Sequence, residues 1–116
     1  MEELNTPKSY MVYWHFSKDV KEQLITKLTL ALPTLRGAVG ASQDEIANVI
    51  GLSRQTYNSI ELRKRKMTWG TYMVLMLFFD YNPFSHNTIR QLEVFPYQLD
   101  ECWLSGKIVQ IVGDKP

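Results

Sequence analysis

Most of the side chains that could carry chemistry in this sequence lie in its middle third. Between residues 33 and 70 there are six basic residues against three acidic ones, whereas the whole chain carries a net charge of only +1. The basic residues of this segment are Arg36, Arg54, Arg63, Lys64, Arg65 and Lys66. Such a local excess of positive charge is typical of a surface that binds a polyanion, although a solvated charged loop has the same composition.

Groups suited to catalysis or metal binding are present, but their spacing fits neither task. His15, His86 and Cys102 lie far apart in the chain and share no spacing of a metal site. Asp100 and Glu101 are neighbours, and neighbours on a helix point in different directions, which argues against paired acid–base work. There is also no glycine-rich phosphate loop and no nucleophile elbow. We therefore predict that the protein is not an enzyme and has no catalytic residue, metal or cofactor.

Two short helices are predicted inside the basic segment. Ser42 and Glu45 have the spacing of a capping box, so the first helix begins after Ser42 and ends at Gly51. Ser53 caps a second helix, which runs from Arg54 to Leu62.

The residues between these helices meet the requirements of a helix-turn-helix. Ala47 is small enough to let the second helix cross the first, and Gly51 tolerates the positive φ that the turn needs. The apolar residues that fill the inner side are Ile46, Ile50, Leu52, Tyr57 and Ile60. An ordinary helical hairpin would not require all of these at these spacings, so the pattern favours a DNA-binding motif.

The segment LRGAVGASQDEIANVIGLSRQTYNSIELRKRKMTWGTY resembles the phage-repressor/Cro-type helix-turn-helix domain, the XRE family. The resemblance extends from about Leu24 to Phe79. It implies a mainly α fold, a lambda-repressor-like bundle of about five helices. It also implies a sequence-specific transcriptional regulator, expected to be a repressor, that binds double-stranded operator DNA as a homodimer.

The same resemblance assigns roles to individual residues. It implies that Arg54, Gln55 and Ser59 face bases, that Gln43 contacts a phosphate and that Lys64 and Arg65 belong to a basic loop. With adjacent polar residues, the predicted base-reading set is Arg54, Gln55, Asn58 and Ser59, and the predicted phosphate-binding set is Gln43, Ser53, Arg63, Lys64, Arg65 and Lys66. Arg36 and Glu61 match an arginine and a glutamate that pair in some members. Arginine suits guanine and glutamine suits adenine, which agrees with Arg54 and Gln55 at the start of the recognition helix.

The sequence departs from the family pattern at three places. Leu62-Arg63 stands where many members have a polar residue and a glycine, so a different loop backbone is expected there. Tyr57 replaces a smaller aliphatic residue. Met67 stands at a frequent proline position.

The flanking regions are predicted from hydrophobic periodicity. Residues 9–16 and Ile108–Val112 are expected to be short strands that pair or join a partner. A helical stripe from Val20 to Val39 contains Pro33, which either kinks one long helix or starts a second. The remaining helices are expected at Trp69–Phe79, His86–Leu92 and Pro96–Leu104.

The helix Trp69–Phe79 is apolar on all sides, so part of it should meet the C-terminal helices or a second subunit.

The organisation follows from these elements. We divide the chain into an N-terminal extension (1–19), a helix-turn-helix domain (20–81) and a C-terminal region (82–116) that could serve dimerisation. The longest apolar run has seven residues, and no secretory leader is visible, so a cytoplasmic protein without a membrane span is expected. The alternative function is an antitoxin or protein-partner-binding module that regulates its own promoter.

Overall fold

The computed structural model describes residues 6–113, and this part of the chain is mainly helical. The elements are a 3₁₀ helix at Pro7–Trp14 followed by α1 (Lys18–Val39), α2 (Gln43–Ile50), α3 (Arg54–Glu61), α4 (Trp69–Asp80), α5 (His86–Gln91) and α6 (Tyr97–Gly113). Residues 19–95 form one compact unit, and the 3₁₀ helix forms another with α6. Residues 1–5 and 114–116, at the ends of the predicted terminal regions, lie outside the described part.

The prediction of two terminal strands is wrong. Residues 7–14 form a 3₁₀ helix, whose N-cap Thr6 accepts from the Ser9 amide at 3.3 Å and whose first residue is Pro7, with φ already set for a helix. Residues 108–112 continue α6 to Gly113, beyond the predicted end at Leu104. A lone pair of strands is only marginally stable in water, whereas a helix satisfies its backbone hydrogen-bonding groups locally. This difference explains why the two terminal segments are helical.

Pro33 lies inside a single helix rather than at the start of a second one. Its missing amide removes one backbone hydrogen bond, at a cost of about 3 kcal/mol in a helix interior. Leu28, Leu32 and Leu35 are fully buried on both sides of Pro33. Each such side chain contributes roughly 1.5–3 kcal/mol on burial, so packing outweighs the proline.

The core of the larger unit reaches past the predicted boundary at residue 81. Its fully buried side chains include Leu28, Leu32, Leu35, Ile46, Tyr57, Tyr72, Leu75, Phe79, Ile89 and Val94. The Tyr72 hydroxyl donates to the Val94 carbonyl, and Arg90 donates to both carboxylate oxygens of Asp80 at 2.9 and 3.0 Å. These bonds attach α5 and the segment after it to α4, so the compact unit ends at Phe95.

The smaller unit is held together by contacts between the 3₁₀ helix and α6. The Tyr13 hydroxyl donates to Ser105 Oγ at 3.2 Å, and Tyr10 stacks on Tyr13 with their ring centroids 6.1 Å apart. Large apolar residues of this unit are more than half exposed, among them Trp14, Tyr97 and Trp103. Within the described residues, no helix combines the length and apolar character that crossing a membrane requires.

Candidate nucleic-acid interface

The start of α2 has the hydrogen bonds that its sequence predicts. The Ser42 hydroxyl accepts from the Glu45 amide at 3.1 Å, and the Glu45 carboxylate accepts from the Ser42 amide at 2.9 Å. The bonds from the Ser42 backbone and side chain lower the pKa of Glu45. This capping box fixes the residue at which the helix-turn-helix begins.

The turn between α2 and α3 depends on backbone conformation at Gly51 and on size at Ala47. Gly51 has φ 80° and ψ 28°, in the left-handed region, and its amide donates to the Ala47 carbonyl, as does that of Leu52. A Cβ at Gly51 would meet nothing within 4 Å. Ala47 itself is buried. Glycine is therefore favoured at position 51 by φ rather than by lack of space.

Gly51→Ala should destabilise the protein by about 1–2 kcal/mol, because alanine pays the steric cost of the left-handed conformation. Gly37→Ala is the matched control: Gly37 lies inside α1, has no positive φ and has equally open surroundings. It should be neutral or stabilising by about 1 kcal/mol, since alanine is the better helix former. Urea denaturation measures both changes; equal effects of the two substitutions would contradict the role of φ at Gly51.

The structure brings the predicted base-reading residues together on the outer face of α3. Arg54 and Gln55 are exposed at its first two positions, and Asn58 and Ser59 are partly exposed one turn later. At 100° per residue the four span an arc of about 140°, opposite the buried Tyr57 and Ile60. Ser53 caps this helix by accepting from the Thr56 amide at 3.1 Å and donates to the Thr56 hydroxyl at 2.9 Å. Its only hydroxyl proton is thus engaged within the chain.

The basic cluster 63–66 is exposed directly after α3. Lys66 Nζ pairs with the Glu22 carboxylate at 3.0 Å. Among the side chains that the structure describes, Arg63, Lys64 and Arg65 form no ion pair. These three cations therefore supply most of the uncompensated charge beside α3.

Arg63 adopts a backbone conformation that favours glycine. Its φ is 61°, its amide donates to the Ile60 carbonyl at 3.0 Å, and the Lys64 amide donates to the Ser59 carbonyl at 2.9 Å. These bonds are those of a Schellman motif, in which the left-handed residue is usually glycine. The different loop backbone expected at Leu62-Arg63 is therefore absent: Arg63 keeps the left-handed conformation that glycine usually adopts there, and this conformation strains the arginine.

Arg63→Gly should stabilise the fold by about 1 kcal/mol relative to Arg63→Ala, because both variants lose the charge but only glycine relieves the left-handed strain. Thermal or urea unfolding of the two variants gives this difference directly. Equal stabilities would show that the position is unstrained.

Arg36, Gln43 and Glu61 form one hydrogen-bonded network behind α3. Arg36 Nε and Nη2 donate to the two oxygens of Glu61 at 2.5 and 3.0 Å, and Arg36 Nη1 donates to the Ala41 carbonyl at 3.2 Å. Gln43 Nε2 donates to Glu61 Oε1 at 3.1 Å. The network joins α1, the turn after it, and both helices of the motif. The predicted pairing of Arg36 with Glu61 is present.

The charge states of this network follow from its burial. Burial acts to raise the pKa of Glu61, but the hydrogen bonds from Arg36 and Gln43 outweigh it and lower that pKa. The Glu61 carboxylate correspondingly raises the pKa of Arg36. The Tyr57 hydroxyl lies beside them, and desolvation raises its pKa, as does the neighbouring Glu61 charge. The sequence-based prediction did not include the proximity of Tyr57 to Glu61, although the two are four residues apart on one helix, a spacing that makes side chains neighbours.

Glu61 should make stability depend on pH in the acidic range. Folding lowers the pKa of Glu61, so the ionised carboxylate stabilises the fold. This stabilisation is fully present above the pKa of the unfolded state, about 4.3, and is lost as the pH falls through the lower pKa of the folded state. Glu61→Gln should cost about 1–3 kcal/mol at pH 7, since a buried charge-assisted pair is lost. Below about pH 4.5, the free energy of unfolding of this variant should decrease less with falling pH than that of the parent. Urea unfolding at several pH values tests both; parallel profiles for the two proteins would contradict the assignment.

Gln43 lies at the first position of α2, where the sequence predicts a phosphate contact. Its side chain is half-buried and donates one amide proton to Glu61. An amide nitrogen carries two protons, so a second donor remains for a ligand. The Glu61 bond holds this donor in place.

The histidines considered as candidate metal ligands, His86 and His15, belong to different units. His86 Nδ1 is 2.6 Å from the Asp80 carbonyl oxygen and 3.1 Å from its carboxylate, whereas His15 is exposed in another unit. Within residues 6–113, no three His, Cys, Asp or Glu side chains gather as they would around a metal ion. Comparison of the chain with protein-family models, curated proteins and solved structures gave no match.

Proposed function

We propose that this protein is a sequence-specific double-stranded DNA-binding protein, a transcriptional repressor that acts in the cytoplasm as a homodimer on an inverted-repeat operator. Its helices α1–α5 would then form a lambda-repressor-like bundle. The observation that carries the proposal is the exposed tip of α3: Arg54 and Gln55 project from a helix whose opposite face is anchored in the core by Tyr57 and Ile60.

The proposed mechanism divides the site into two parts. Arg54 and Gln55 read base edges after the N-terminal end of α3 enters the major groove, with Asn58 and Ser59 beside them. Gln43 at the start of α2 and the cluster 63–66 contact phosphates on either side. Positive φ at Gly51 and the buried Ala47 set the angle between the two helices.

The charge distribution around α3 supports nucleic acid, rather than an uncharged protein surface, as its binding partner. From Arg54 to Glu61 the outer face of α3 carries only polar side chains. The exposed apolar Leu62 follows at the C-cap, and the cations after it at Arg63, Lys64 and Arg65 are exposed. A protein-binding helix would instead present apolar anchors on its free face.

Selection from a pool of random duplexes tests the function. The full-length protein should enrich an inverted repeat whose half-site centres lie about 10–10.5 base pairs apart, or a multiple of that spacing. Enrichment of no common sequence at low salt would overturn sequence-specific binding.

The alternative, an antitoxin or protein-partner-binding module, is favoured by one observation. The smaller unit exposes Trp14, Tyr97 and Trp103, which are the residue types found at protein interfaces. Co-purification of one stoichiometric partner, abolished by Trp103→Ala, would favour it.

A further inference from the structure

Helix α4 carries a second apolar stripe on the side that faces away from the core. Gly70, Val74, Leu77 and Tyr81 recur at helical spacing and are exposed, with Val74 at 47%, Leu77 at 52% and Tyr81 at 80%. The opposite side of the same helix, which includes Tyr72 and Phe79, is fully buried in the core. The stripe borders a shallow hollow of about 580 Å³.

We propose that the α4 stripe binds the α4 stripe of a second copy of this chain in antiparallel orientation. This inference deepens the proposed homodimer by naming its interface. Side-chain size increases along the stripe from Gly70, which has none, to Tyr81 at the other end. A two-fold axis near the middle of the helix places Tyr81 of each copy over Gly70 of the other, as a self-complementary interface requires.

The absence of charge on the stripe also fits binding to a second copy. Residues 69–79 include no charged side chain, and the adjacent Asp80 is buried and bound to Arg90. Two such faces meet without like-charge repulsion and without desolvating an ion. A charged partner surface would find no charged side chain to pair with on this stripe.

The area of the stripe predicts a weak dimer. An aromatic residue has a side-chain area of about 150–250 Å², so Tyr81 with the half-exposed Val74 and Leu77 and the flanking Phe84 offers roughly 350–500 Å². Stable interfaces bury about 800 Å² on each partner. The contact therefore forms chiefly when DNA holds two copies together, at an effective concentration of about 1 mM.

Disulfide trapping tests the contact without DNA. In a Cys102→Ser background, the double variant Gly70→Cys/Tyr81→Cys is oxidised at about 1 mM protein. A covalent dimer should form with its 70–81 disulfides between copies, as mass spectrometry of peptides would show. Within one copy the two positions are about 16 Å apart along the helix, and a disulfide needs Cα atoms within about 7 Å. The single-cysteine variants are the matched controls and should form no covalent dimer.

Gly70→Leu gives a second measurement with little risk to the fold. A Cβ at Gly70 would meet only Thr68 Oγ1, at 3.9 Å, and leucine favours a helix. This variant should keep the parent melting temperature and lose self-association in sedimentation at about 1 mM. On a selected duplex it should lose cooperativity between half-sites while binding a single half-site as the parent does.

The outcomes separate this inference from the proposed function. Trapping of the double-cysteine variant as a dimer, together with a parent protein that binds no DNA, would support the interface and overturn the proposed function. If no variant is trapped at about 1 mM, or if a single-cysteine variant is trapped as readily as the double, the antiparallel α4 contact is wrong and the stripe serves another partner.

Discussion

Raising the salt concentration from about 50 to about 200 mM should weaken DNA binding by about 10³–10⁵-fold, if a dimer contacts about 6–10 phosphates. Each phosphate that a lysine or arginine neutralises releases condensed counterions, so the logarithm of the affinity falls linearly with the logarithm of the salt concentration. The contacts expected to neutralise phosphates come from the exposed Arg63, Lys64 and Arg65 of each copy, whereas the uncharged Gln43 adds a hydrogen bond without salt dependence. Fluorescence anisotropy with a labelled duplex over this range measures the slope.

A charge variant provides the control for the salt experiment. Lys64→Ala removes one exposed cation and should reduce the slope by about 1 for each phosphate that is no longer neutralised. Thr34→Ala, at an exposed neutral position of α1, should leave the slope unchanged. A flat salt response of the parent protein would remove the electrostatic basis of the proposed function.

The double variant Arg54→Ala/Gln55→Ala should lower the binding free energy on the selected operator by about 2–6 kcal/mol, because each base-reading side chain accounts for about 1–3 kcal/mol. Binding to random DNA should change much less, since the phosphate contacts that remain carry no sequence information. Both side chains are exposed, so the fold should be unaffected.

The matched control is Lys64→Ala/Arg65→Ala, which also removes two exposed polar side chains. It should weaken binding to the operator and to random DNA by similar factors. Titration of both duplexes with both variants gives four affinities for comparison. Equal weakening on the two duplexes for the Arg54 and Gln55 variant would contradict base reading by α3.

The local signals of the helix-turn-helix could be predicted from the sequence because neighbouring residues make the relevant bonds. The capping box at Ser42 and Glu45 is present, as are the N-cap of Ser53 and the positive φ of Gly51. Each involves residues no more than four positions apart, so the sequence contains both partners of every bond.

The terminal elements were mispredicted because composition does not determine strand or helix without a partner. Residues 9–16 are rich in aromatic and β-branched types, which favour strands only where a neighbouring strand takes up the backbone hydrogen bonds. Within the described residues there is no strand, and the 3₁₀ helix packs on α6 instead. Pro33 likewise stays inside α1 because the side chains around it are buried.

Local sequence signals were enough to predict the ends of α2 and α3 to within one residue, and which residues of α3 face outward, because hydrogen bonds and helical periodicity act over a few residues. The tertiary structure was needed to show that Gln43 joins the predicted pair of Arg36 and Glu61, and that Tyr72 bonds to the Val94 carbonyl. Those contacts join residues 18–25 positions apart. They depend on helices packing at particular angles, and burial of the shared core sets those angles.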